Sequence, residues 1–183
     1  ITLTNTSNPL TVMQLHNGGG SIAIDNTGGV IAAAAIDAAD SVTLTAHSPI
    51  TVNAPITAGN RITLQASSSL AGGDTLTINA NLSAGSGGLG ATAGGDIAMA
   101  NTARLTTANG PVDLVAGNSI VLGQIDAGSS SVFLEATGGG VSTASGAPTP
   151  SVSGHSLLLR ANTGASLSTA VQLLDITSTT GLV

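Results

Sequence analysis

The sequence predicts an all-β fold, a parallel β-helix (β-solenoid) of about 20 residues per coil and roughly eight or nine coils. Three observations predict it: short strand-like runs return at a fixed spacing, one block of the chain aligns on another without a gap, and aromatic and charged residues are both scarce. The 183 residues are read as one domain, 1–183, forming a segment of a longer repeat protein.

The first 40 residues carry the pattern loosely. Ile1-Thr2-Leu3-Thr4 and Leu10 to Leu15 alternate, and Asn17 to Gly20 turn the chain into Ser21-Ile22-Ala23-Ile24. Val30 to Asp37, VIAAAAID, is rich in alanine, which favours helix, but no apolar stripe at 3.6 spacing continues on either side. With Gly28-Gly29 before it, the segment reads as a small-residue strand. Ser41 to Asn60 is the clearest unit: Val42 to Ala46, Ile50 to Asn53 and Ile56 to Ala58 are three short strands separated by turns, and Arg61-Ile62-Thr63-Leu64 begins the pattern again.

Strand-opening residues are expected at Ile22, Val42, Ile62, Ile97, Val112, Val132 and Leu157, in steps of 20, 20, 35, 15, 20 and 25 residues. Ile50 to Gly59 aligns without gaps on Leu76 to Gly85, and Ile120 to Gly128 follows the same plan one residue shorter. Two glycine-rich segments interrupt the period. Ser86 to Asp96 and Gly138 to Gly154, the latter with Pro148 and Pro150, are expected to be loop insertions projecting from the body. Leu157 to Ala161 and Leu173 to Ile176 return to strands.

A 20-residue unit cannot bury enough surface to fold alone, but stacked coils pair every backbone group with the coil above and below. Stacking also explains the composition. A charge kept in every coil would meet its own sign about 5 Å away, at a cost of about 0.8 kcal/mol even in water. Charged residues are only 7% of the chain, against about 25% in ordinary soluble domains. A narrow interior excludes large rings, and Phe133 is the one aromatic residue. Three arginines, no lysine and a net charge of -6 argue against nucleic acid as a partner. No cysteine is present, and no apolar run is long enough to span a bilayer, so membrane insertion is not expected. The chain starts at Ile1 without Met or a signal peptide, and is read as a mature or internal segment.

The cadence of Asp40 to Ala46 and Ile50 to Ala66, DSVTLTA and ITVNAPITAGNRITLQA, resembles the shaft repeats of filamentous-haemagglutinin-type exoproteins, the adhesins of bacterial two-partner secretion. The resemblance is strongest over Asp40 to Ala136. It implies a right-handed β-helix, export through an outer-membrane β-barrel transporter, and a secreted or cell-surface location. The family's secretion domain usually carries Asn-Pro-Asn motifs; here only Asn8-Pro9-Leu10 is found, which favours a shaft segment. The expected function is therefore a structural and adhesive stalk, attaching to a host-cell, bacterial or matrix surface and without catalysis. Open ends would expose strand edges, so further coils or end-to-end self-association are expected there.

Several stretches imitate catalytic or binding motifs. Gly85 to Gly90 spells GxGxxG, but the following ATAGGD is a poor helix start. Gly154-His155-Ser156 begins like a nucleophile elbow, yet Leu158 replaces the closing glycine. Gly72-Gly73-Asp74 and Gly94-Gly95-Asp96 lack the spacing of a calcium-binding β-roll, and their aspartates are expected to make local turn hydrogen bonds. A polysaccharide lyase or hydrolase would need clustered carboxylates; the acids are expected mostly at turns, Asp113 and Glu135 being the near-neighbours on strands. His16, His47 and His155 are read as exposed turn residues, so no catalytic, metal or cofactor residue is assigned. Asn5-Thr6-Ser7 and Asn81-Leu82-Ser83 match the glycosylation sequon. An alternative function is ice or glycan binding on a flat face of Thr43, Thr45, Thr51, Thr57, Thr63 and Thr77, interrupted by Ala23, Ala98, Asp113 and Phe133.

Overall fold

In the computed structural model, which describes residues 1–67 and 74–180, the chain is a β-solenoid of three parallel sheets with no helix among the described residues. The first sheet stacks Thr2–Asn5, Ile22–Asn26, Val42–Ala46, Arg61–Ala66, Gly88–Ala93, Val112–Ala116, Ser131–Ala136, Ser156–Ala161 and Leu173–Ser178 in that order. The second sheet runs from Leu10–Val12 to Ala165–Ser166, and the third from Leu15–Asn17 to Thr169–Ala170, each with eight strands. Each of the eight coils contributes one strand to every sheet, and Leu173–Ser178 begins a ninth.

Alternation decides which side chains enter the core. In Val42–Ala46 and Arg61–Ala66 every second residue is buried, and the intervening threonines and Gln65 face outward. Parallel register then stacks like on like: Ile22, Val42, Ile62, Leu89, Val112, Val132 and Leu157 form one continuous buried column. Ile36, Ile56, Leu82, Leu105, Ile125 and Val152 form another in the third sheet. Burying each such side chain contributes about 1.5–3 kcal/mol. At the first coils the core is partly polar: Asn5 Nδ2 donates to Asn26 Oδ1 at 3.0 Å, while Asn26 Nδ2 donates to the Ser7 and Gly29 carbonyls. Alanine occupies that column from Ala46 to Ala161.

The gapless alignment holds in space, because Ile50 pairs with Leu76 and Ile56 with Leu82. Val30–Ala32 and Ile36–Ala38 are strands, so the alanine-rich segment does not become a helix. Backbone approach fixes the corner after the third sheet. A Cβ on Gly85 would lie inside the van der Waals shell of the Gly59 carbonyl oxygen, and one on Gly59 would meet that of Ala39.

Three expectations are corrected. Ile97 opens a strand of the second sheet, pairing with Leu76 and Ile120; the partner of Ile62 is Leu89. The coil steps from Ile62 are therefore 27 residues to Leu89 and 23 to Val112, in place of the expected 35 and 15. Consequently 86–96 is not a projecting loop: Gly88–Ala93 is a six-residue strand buried through Leu89, Ala91 and Ala93, held between two regular neighbours that supply its hydrogen-bond partners. The extra residues of this coil fall mainly between Ala66 and Leu76, where 68–73 lie outside the described residues. The second segment, 138–154, is only partly a loop. Val141–Thr143 and Val152–Ser153 within it belong to the second and third sheets, leaving 144–151 as the insertion. That loop is tied down where Asn101 Nδ2 donates to Ser145 O and Gln124 Nε2 to Pro150 O.

Candidate functional site

Outward side chains stack in the same register as the inward ones but with mixed chemistry, so a site must come from particular neighbours within these columns. Of the nine acids, six stand on strands (Asp25, Asp37, Asp113, Asp126, Glu135 and Asp175) and only Asp40, Asp74 and Asp96 at turns, contrary to the turn expectation. A short strand flanked by polar residues resembles a turn in sequence, whereas coil register places these acids on outward strand positions. None is the register partner of another acid. Asp25 pairs with Thr45, Asp37 with Thr57, Asp113 with Phe133 and Asp126 with Ser153. Asp113 and Glu135 lie diagonally, since Glu135 is opposite Val115.

Coil stacking supplies most of the acids with partners. Asp126 accepts from Arg104 Nη2 at 2.6 Å, an exposed pair worth about 0–1 kcal/mol. Asp96 Oδ1 accepts from Asn118 Nδ2 and from the Ser119 backbone N–H of the next coil, so its bonds tie coils together instead of closing a local turn. Asp40 is held below the usual carboxylate range, first by the Ser21 hydroxyl at 2.7 Å, then by Asn60 and Ser41. His16 is a strand residue, not a turn residue, and its Nδ1 lies 3.0 Å from Asp37 Oδ2. His47, in a turn, lies 3.5 Å from Asp25, and His155 is separate in the turn before Ser156–Ala161.

The remaining motifs resolve into scaffold. Gly85 to Gly90 runs into strand Gly88–Ala93, with no helix to present to a phosphate. Gly72 and Gly73 lie outside the described residues, and among those described no group of three or more His, Asp or Glu side chains is arranged for a metal ion. Of the sequon residues, Asn5 has its amide engaged by Asn26, whereas Asn81 is exposed and accepts the Arg104 backbone N–H. The threonine face is short: Thr43 and Thr63 are followed by Gly90, Asp113 and Phe133, while Ala98 interrupts the separate column of Thr51 and Thr77.

The largest departure from uniformity is on the first sheet in the last coils. Glu135 and Arg160 are register partners, but the guanidinium leans diagonally onto Phe133, 5.8 Å from the ring centroid, and makes no ion pair among the described residues. Beside them is a groove of about 280 Å³, lined by Glu135, Thr137, Arg160, Asn162, Thr177 and Thr179. A larger hollow of about 470 Å³ on the second sheet carries no charged side chain. Sequence reasoning named Glu135 but missed Arg160. The signal was present in the 25-residue step from Val132 to Leu157, which aligns Glu135 on Arg160.

The class defined by this geometry is a parallel β-solenoid whose outward columns set no two acids in register. Comparison with models of known protein families, with curated proteins and with solved structures gives no match to this chain.

Proposed function

We propose that this chain is a stalk segment of a large secreted bacterial surface adhesin, a rigid spacer that holds attachment surfaces away from the cell. The observation carrying this reading is the unbroken register of the first sheet through nine strands, which at about 4.8 Å per rung makes a rod of roughly 40 Å. Outward columns that avoid stacking like charges support it, because they let coils be added without electrostatic cost. Export through an outer-membrane β-barrel partner and display at the cell surface belong to the same proposal. So does continuation at the ends, where Met13, Leu173 and Leu174 are exposed on the outermost strands and adjoining turns. The threonine face is too interrupted to favour the ice-binding alternative.

Antibodies raised against the purified chain should label intact producing cells, and protease treatment of those cells should remove the signal. In-frame deletion of the segment should lower attachment to host cells or matrix. Labelling confined to permeabilised cells would overturn the proposal.

A further inference from the structure

We propose that the groove over Glu135 and Arg160 is a binding site for a neutral saccharide, a site that rests on the adhesive reading only for its biological purpose. Arg160 is the starting point. Arg104 has a carboxylate partner, and Arg61 donates to Thr63 Oγ1 and the Gly87 carbonyl. Among the described residues, the side chain of Arg160 alone of the three arginines makes neither a hydrogen bond nor an ion pair, although its register partner is a glutamate. Phe133 explains this separation. The ring holds the planar guanidinium by cation–π attraction, which restrains the side chain while leaving its N–H edges free.

A donor-only side chain and an acceptor-only side chain, Arg160 and Glu135, thus line one groove without an ion pair between them. A vicinal diol is matched to that arrangement, because each hydroxyl can donate to Glu135 and accept from Arg160. Thr137, Asn162 and Thr177 add groups that both donate and accept. A phosphate or sulfate would meet the Glu135 carboxylate as well as the guanidinium. A metal cation would find a single carboxylate in the groove, with Arg160 beside it. Uncharged polyol chemistry is what remains. None of the preceding coils sets a guanidinium beside a carboxylate here: the equivalent outward residues are Ala23 and Asp25, Thr43 and Thr45, Thr63 and Gln65, Gly90 and Thr92, and Asp113 and Val115.

The test uses the whole chain on a printed array of glucose-, galactose- and mannose-terminated oligosaccharides beside sialylated and sulfated glycans, followed by calorimetric titration of the strongest neutral binder. Binding to at least one neutral series is expected. Glu135→Gln and Arg160→Ala should each weaken it about tenfold or more, the worth of a charge-assisted hydrogen bond. Thr45→Ala, on the same face but remote from the groove, should bind as the parent does. Urea unfolding of each variant separates lost binding from lost fold. No neutral binding, binding only to sulfated or sialylated glycans, or binding indifferent to both groove substitutions in folded protein would overturn the proposal. Such failure with surface labelling intact would leave the stalk reading standing.

Discussion

Introducing a second charge into an outward column tests the physical basis of the whole composition. Thr57 is exposed in the third sheet, with Asp37 as its register partner below and Ser83 above. Thr57→Asp would set two carboxylates about 4.8 Å apart, and the water value of Coulomb's law gives about 0.9 kcal/mol of repulsion. Screening lowers this to about 0.7 kcal/mol at an ionic strength of about 10 mM and about 0.2 kcal/mol at about 1 M. Thr57→Asn, nearly isosteric and uncharged, removes the threonine without adding charge and is the proper reference. With a urea m-value of about 2 kcal/mol/M, the Asp variant should unfold about 0.3 M earlier than the Asn variant at low salt, with the gap largely closed at high salt. Thr57→Lys, facing Asp37, should match or exceed the Asn variant. Equal midpoints for Asp and Asn at low salt, or a gap indifferent to salt, would refute the argument that like-charge repulsion keeps acids out of register in these columns.

Removing Val42 to Arg61, one whole coil, should leave a folded protein, because Ile22 then stacks on Ile62 and Ile36 on Leu82 in the original register. Removing only ten residues, 42–51, should abolish cooperative unfolding; similar circular-dichroism melts for the two deletions would contradict the coil assignment. Leu82→Ala, at a fully buried position between Ile56 and Leu105, should cost about 2–5 kcal/mol in urea unfolding, whereas the outward Thr106→Ala should stay within about 0.5 kcal/mol. Asp40 binds its proton more weakly in the folded state, so its stabilising contribution is complete above its unfolded pKa and disappears as pH falls through the lower folded value. Ser21→Ala should therefore flatten the acid limb of a stability profile recorded from about pH 5 to about pH 2.

Most of the architecture could be read from the sequence wherever a coil repeats its own pattern. Val42 to Ala58 matches the structure strand for strand, and the 50–59 and 76–85 blocks stack as aligned. Reading failed at Gly88–Ala93, where glycine and alanine carry no local strand preference. The strand forms because the coils on either side offer complete ladders of backbone partners. Gly90 has a further reason to lack a side chain: the Arg61 guanidinium lies across it, 2.8 Å from where a Cβ would sit. The groove was half legible. Glu135 was visible as an outward acid, but the displacement of Arg160 onto Phe133 depends on side-chain packing across a diagonal that no linear spacing displays.

Parallel stacking with each coil touching only its neighbours also sets the order of assembly. A completed coil presents finished edges on all three sheets, and the next coil can close on them after only 17–27 further residues. Closure entropy grows only as the logarithm of that short length, so the barrier to adding a coil does not depend on how many are already in place. A chain delivered slowly from one end can therefore condense progressively, like a zipper closing behind its slider, with no need for the distant end to have arrived.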